Sequence, residues 1–317
     1  MSNRQPRDLR GLLKFCAEYT KTEDAPSDSG AEPIDPERIE FLQNVLKNLS
    51  VDVIKEFTKA IEILIDPKVS DPNVSDVSEQ IYAMECIEDW VGQIDMAINF
   101  HKVGGFEALL NTLKCPHDSL KSQSAHLIAE LTQNNPYCQT HMAEDGFLHL
   151  LLELLDSSDS SDSVRVKVLY AISCIIRQCP ASQDEWISLD GPSILIRALM
   201  DHVSKLKIKA SFLMSALIQE NPSKFARLFS SMGTHIQLAA LIVQDTSNEQ
   251  VAMALHTLLK HSEDSSVLSD ITENPELMST LSKNVKNMAS REECIEERDY
   301  YIKILDMCFG KPEGLDR

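Results

Sequence analysis

Apolar residues recur three and four positions apart along most of this chain, in short blocks rather than one long run. Leu9, Leu12, Leu13 and Cys16 form the first stripe, and Ile39, Leu42, Val45, Leu46 and Leu49 the next. That spacing puts the apolar side chains on one face of an α-helix. Polar, proline-bearing stretches separate the stripes, KTEDAPSDSGAEP at 21–33 and KVSDPNVSDVSE at 68–79. Asp35–Pro36 opens a helix, with the aspartate as cap and the proline at the first helical position. A second helix covers about 51–65 and ends at Asp66–Pro67. No run of alternating β-branched residues bounded by glycine or asparagine argues for strands.

From Ser78 the blocks become periodic. A glycine precedes an apolar helix in GGFEALLNTL, GFLHLLLELL, GPSILIRALM and GTHIQLAALIV. Gly105 to Gly146 is 41 residues, Gly146 to Gly191 is 45, and Gly191 to Gly233 is 42. Pro136, Pro180 and Pro222 mark a second joint, each after a long helix. A period in this range with three helices per unit is the mark of armadillo-type repeats. The glycine suits a sharp elbow, where positive φ brings no Cβ clash. The expected fold is therefore all-α, an armadillo-like helical repeat solenoid with helical N- and C-terminal caps. Its expected parts are a flexible segment with a short helix at 1–33, capping helices at 34–77, repeats at 78–270 and capping helices at 271–317. The last repeat, from VAMALHTLLKHSED, is the weakest, and the charged helix REECIEERDYYIKILDMCFG supplies the polar outer face a terminal cap needs.

Composition sharpens this picture. Hydrophobic residues make up 43% of the chain and aromatics only 6%, so the core must be built from Leu, Ile, Ala, Val and Met. The net charge of −19 repels phosphate backbones and anionic lipid, which argues against nucleic acid and membrane surfaces as partners. No apolar run is long enough to span a bilayer, and the N-terminus lacks the apolar core of a secretory signal. The expected location is the cytoplasm, with the nucleus as a second compartment. Eight cysteines are dispersed without a CxxC pair, which points to reduced thiols and no metal. Phosphate-binding glycine loops, GxSxG and HExxH are absent from the sequence. No catalytic residue or cofactor is expected, and the chain reads as a monomeric, non-enzymatic binding protein.

Function then falls to the third helix of each unit, which lines the groove of an armadillo stack. Four such helices begin near Ser78, Ser119, Ser163 and Lys205. Where receptors for basic nuclear signals repeat a Trp and an Asn one turn apart, this chain has His126 and Glu130, Tyr170 and Cys174, Phe212 and Ala216. What stands there instead is local basicity, from Arg165, Lys167, Lys205, Lys207 and Lys209, with Tyr170 and Phe212 as aromatic anchors one turn on. Charge beside an aromatic anchor suits an acidic protein partner. The run DSSDSSDS at 156–163 reads as a polar loop between second and third helices.

Several phrases together carry a likeness: LRGLLKFCAEYT, DMAINF followed by GGF, SVRVKVLYAISCIIRQ, LDGPSILIRAL, KLKIKASFLMSALI, FSSMG and LDMCFG. With these the chain resembles the Hsp70-binding protein 1 family, armadillo-type nucleotide exchange factors of cytosolic seventy-kilodalton heat-shock chaperones. The resemblance implies a concave face that clamps one lobe of the chaperone's nucleotide-binding domain, opening the cleft so that ADP leaves. It implies partner contacts at Ala97 and Asn99, within the stretch that follows Asp95, and at the lysines 205, 207 and 209 with Phe212 beyond. Met96 stands where the family commonly has Asn. An armadillo-type adaptor for a different acidic protein remains the alternative.

Overall fold

The computed structural model describes residues 52–244, 249–289 and 291–310. The expected helices at 8–20 and near 36–49 lie outside the described residues. The chain divides into two compact units, Met1–Val53 and Ile54–Arg317, and apart from Val53 the helices below belong to the second. Two helices lead in, α1 (Val53–Leu64) and α2 (Ser78–Val91). Five layers of three follow. The first is α3 (Ile94–Lys102), α4 (Gly105–Leu113) and α5 (Asp118–Thr132). The second is α6 (Pro136–Glu144), α7 (Phe147–Asp156) and α8 (Asp162–Ile176). The third is α9 (Pro180–Ser188), α10 (Gly191–Leu199) and α11 (Ser204–Glu220). The fourth is α12 (Pro222–Ser231), α13 (Thr234–Val243) and α14 (Glu249–His261). The fifth is α15 (Ser265–Thr272), α16 (Pro275–Asn287) and α17 (Ile295–Phe309).

Each layer packs like on like. The third helices α5, α8, α11, α14 and α17 stack in succession, beginning from α2. Their buried sides are Leu, Ile, Val and Ala, as in Leu213, Met214, Leu217 and Ile218 of α11, all fully buried. The joints follow from local chemistry. Asn135 and Asn221 accept the amides of Cys138 and Lys224, capping α6 and α12, with Pro136 and Pro222 at the first helical position. A proline there loses no hydrogen bond, because that amide has no partner inside the helix.

Three of the four expected glycine elbows hold. Gly104, Gly146 and Gly233 have φ of +91°, +81° and +66°. The third-layer elbow falls one residue earlier than the glycine, on Asp190 at φ +57°. Gly191 is required for a different reason: a Cβ there would fall inside the indole of buried Trp186, as one on Gly105 would fall inside the ring of Phe100. The helix before the elbow lays an aromatic over the start of the helix after it. Gly191→Ala should therefore cost about 1–3 kcal/mol by overpacking. Gly92→Ala, where a Cβ meets nothing and φ is ordinary, serves as the neutral control. Urea unfolding of the two variants checks the difference.

The stack runs past the expected boundary at 270. α17 packs on α14 as a third helix does, and α16 on α13 as a second helix does. The helices that cap the C-terminal end are thus themselves arranged as a fifth layer. Its α15–α16 joint has no left-handed elbow, being made by Asn274, whose side chain accepts the Leu277 amide ahead of Pro275. Among the described residues no helix is long and apolar enough to cross a membrane.

Candidate functional site

The helix α2 and the five third helices each place an aromatic at one register position on the exposed side. Tyr82, His126, Tyr170, Phe212, His256 and Tyr300 follow one another at intervals of 44, 44, 42, 44 and 44 residues. They come from α2, α5, α8, α11, α14 and α17. Because those helices stack in that order, the six rings form a ladder across the layers. Tyr82 and Phe212 are 67% and 41% exposed, too open to serve as core, and the other four are half-buried. The rings of His256 and Tyr300 lie 5.6 Å apart between centroids.

Cations are laid over the rungs. The Lys209 ammonium sits 4.5 Å above the Tyr170 ring, the Arg177 guanidinium 5.3 Å from that of Phe212, and Lys303 4.7 Å from that of Tyr300. The first two cross between layers, so each cation is held by the neighbouring unit's aromatic. Burial depresses the Lys209 pKa, and repulsion from Lys167 adds to this. Burial also pushes the Tyr170 phenol up to about 12, so it stays a neutral hydroxyl. At the second rung the face turns acidic. His126 Nε2 lies 3.3 Å from Glu88 and its Nδ1 4.0 Å from Glu130, while Gln123 donates to the other Glu88 oxygen at 3.0 Å.

Not all of the expected basic residues reach this face. Lys205 is exposed and Lys209 half-buried, and four residues apart they share one side of α11. Lys207 is buried, because a residue two positions along turns about 200° around a helix of 3.6 residues per turn. Alternation along the sequence looked like a cluster, but a helix divides it. Lys167 is half-buried beside Lys209.

Arg165 is a structural tie. It donates to the Leu155 carbonyl at 3.0 Å and to Asp201 at 2.6 Å, and both side chains of that pair are mostly buried. The pair joins the end of α7, the start of α8 and the turn after α10. Burial alone would raise the Asp201 pKa, but the Val203 amide and Arg165 outweigh it and leave the carboxyl depressed. A depressed carboxyl stabilises the fold above its unfolded pKa and loses that contribution as pH falls through the folded value. Asp201→Asn should cost about 1.5–3 kcal/mol near neutral pH. Its stability should also fall less steeply than the parent's below about pH 4. Urea titrations across pH read both effects.

Ala97 is fully buried and Asn99 half-buried. Both sit on α3, a first helix, apart from the third-helix ladder. The structure therefore brings together His126, Glu130, Lys167, Tyr170, Lys205, Lys209 and Phe212 from the sequence expectation. The reading from sequence missed Tyr82, His256, Tyr300 and Arg177. The signal for the three rings was present, since the same interval extends in both directions from Tyr170. Among the described residues no group of His, Cys, Asp and Glu could hold a metal ion.

Comparison with known proteins gives two family matches. The model described as the SIL1/FES1/HPBP1 C-terminal domain matches residues 96–237, and that described as nucleotide exchange factor Fes1 matches residues 9–100. Hsp70-binding protein 1 of Rattus norvegicus is 31% identical over 99% of this chain and 90% of its own length. Hsp70 nucleotide exchange factor FES1 of Mycosarcoma maydis is 29% identical over 51% of this chain and 41% of its own. Among solved structures, a designed armadillo repeat protein, YIII(Dq)4CqI, superposes with a TM-score of 0.60. It is 17% identical and covers 80% of this chain and 99% of its own, a likeness of fold alone.

Proposed function

Because the chain belongs to the SIL1/FES1/HPBP1 family of Hsp70 exchange factors, we propose that it is a nucleotide exchange factor for a seventy-kilodalton heat-shock chaperone. The observation that carries this reading is likeness along nearly the whole length of both chains, 31% identity over 99% of this one and 90% of the rat protein. The third-helix face, the concave side in armadillo stacking, grips the chaperone's nucleotide-binding domain. Exposed Tyr82 and Phe212, with Lys205 and Lys209, offer aromatic anchors and charge suited to an acidic protein surface. The protein acts as a monomer in the cytoplasm and performs no bond chemistry.

Its work is differential binding. The factor holds the domain more tightly when the nucleotide cleft is open than when ADP closes it, and so lowers ADP affinity. Linkage makes the effect reciprocal, so ADP must weaken the factor's hold by the same factor that the factor weakens ADP's. Calorimetric titration of the domain with this protein, at rising fixed ADP, tests that directly. The apparent Kd should climb with ADP and level off at a ratio equal to the loss in ADP affinity. A Kd indifferent to ADP would remove the exchange reading.

A further inference from the structure

Beside the Tyr170 rung a cavity of about 300 Å³ opens between layers. Gln133 and Asn134 border it from the end of α5, Gln139 from α6, and Tyr170, Cys174 and Arg177 from α8. The Gln139 amide nitrogen is spent on the carbonyls of Cys174 and Arg177, at 2.7 and 2.8 Å, which closes the end of α8. Arg177 is different. Its guanidinium donates no hydrogen bond among the described residues, and its Nε is buried without a partner.

The nearest acid, Glu220, stands 3.8 Å from that Nε. Its other oxygen, Oε2, accepts from the Gln178 amide and the Gln183 side chain, both at 2.9 Å. The carboxylate is therefore committed elsewhere and meets Arg177 only as a loose ion pair. Phe212 holds the guanidinium from the next layer, which fixes the fork without using its donors. The Arg177 side chain is 40% exposed as a whole, but a buried donor such as its Nε is costly to leave empty, and the geometry that satisfies a planar guanidinium is a carboxylate received at two points. Glu130 is the adverse charge here, close enough to act on Tyr170 and Cys174.

We propose that this cavity receives an aspartate or glutamate side chain of the chaperone's nucleotide-binding domain, with Arg177 as the residue that recognises it. The proposal rests on the exchange-factor reading and adds to it a specificity pocket beside the ladder. Discrimination follows from what would be left behind: a partner with an alkyl group at that point leaves the buried Nε empty, and an amide oxygen receives the fork at one point instead of two.

The test compares the full chain with Arg177→Gln, Arg177→Lys and Glu130→Gln, each titrated calorimetrically into the nucleotide-free domain at two salt concentrations. Arg177→Gln should bind at least tenfold more weakly, with reduced salt dependence and a Tm within a few degrees of the parent. Arg177→Lys keeps the stem and charge but loses the fork, and should fall between. Glu130→Gln removes the adverse charge and should bind more tightly than the parent. Equal losses in Arg177→Gln and Arg177→Lys that follow their Tm would mean a packing role and would overturn the pocket. So would an unchanged Kd in Arg177→Gln. A parent chain that fails to bind the domain at all would instead sink the exchange-factor reading, and the pocket with it.

Discussion

Lys205→Glu combined with Lys209→Glu should weaken binding to the chaperone domain by about 100-fold or more, while the circular dichroism spectrum and Tm stay close to the parent's. The two side chains share the open side of α11, and Lys205 is exposed with no acid within ion-pair distance among the described residues. Reversing it removes an attraction and adds a repulsion without disturbing a contact inside the stack. Lys209 lies over Tyr170, so its reversal also lifts the cation from that rung and brings a carboxylate toward the π face. A loss of about 1.4 kcal/mol for each site gives the stated factor, a modest demand for charges near the centre of an interface. Lys207→Glu is the contrasting variant. Lys207 is buried, so a carboxylate there should lower Tm first and affinity only as a consequence. Binding that survives the double reversal with the fold intact would mean that the third-helix face is not where the partner sits.

Trp186→Ala should destabilise the stack by about 3–5 kcal/mol, the range for emptying a buried aromatic site. Trp186 is 1% exposed and is among the largest fully buried side chains. Its indole covers Gly191 at the α9–α10 elbow, so it fixes how the third layer is folded on itself. In a solenoid each layer leans only on its neighbours, and a weakened middle layer should split a single unfolding transition into two. The partner residue supplies a sharper check. Gly191→Ala is costly only because the indole occupies the space, so in the Trp186→Ala background the same change should cost almost nothing. Such non-additivity is what a shared contact produces. Additive costs would mean that the two positions do not meet.

How far the sequence reveals this fold depends on which joints carry a chemical marker. Pro136, Pro180 and Pro222 mark the starts of first helices because a cyclic residue is at home there, and Gly104, Gly146 and Gly233 mark the elbows because their φ is positive. Those six positions give the period and the third-helix layer. At Asp190 the elbow falls on a non-glycine residue, which a search for glycine cannot see, and Gly191 beside it preserves the count by coincidence of a packing need. The fifth layer was hidden in the same way, since Asn274 and Pro275 replace the elbow and α17 has a charged first turn.

The site was legible where one helix settles the matter and obscure where two are needed. The ladder's middle rungs, His126, Tyr170 and Phe212, follow from register alone. Lys205, Lys207 and Lys209 look alike along the chain, and only the pitch of α11 separates them. Arg165 and Arg177 exchange roles for a similar reason. Each is defined by what another layer brings to it, Asp201 in one case, 36 residues away, and Phe212 in the other, a separation along the chain that no local pattern spans.

The proposed function is that this stack holds the chaperone's nucleotide-binding domain open. It is tested most directly by the release of a fluorescent ADP from that domain, chased with unlabelled nucleotide. The rate should rise with added protein, saturate, and return toward the unassisted value when Lys205→Glu/Lys209→Glu is used instead. Release no faster at saturating protein than without it would contradict the claim, and would leave an armadillo adaptor that binds without prying.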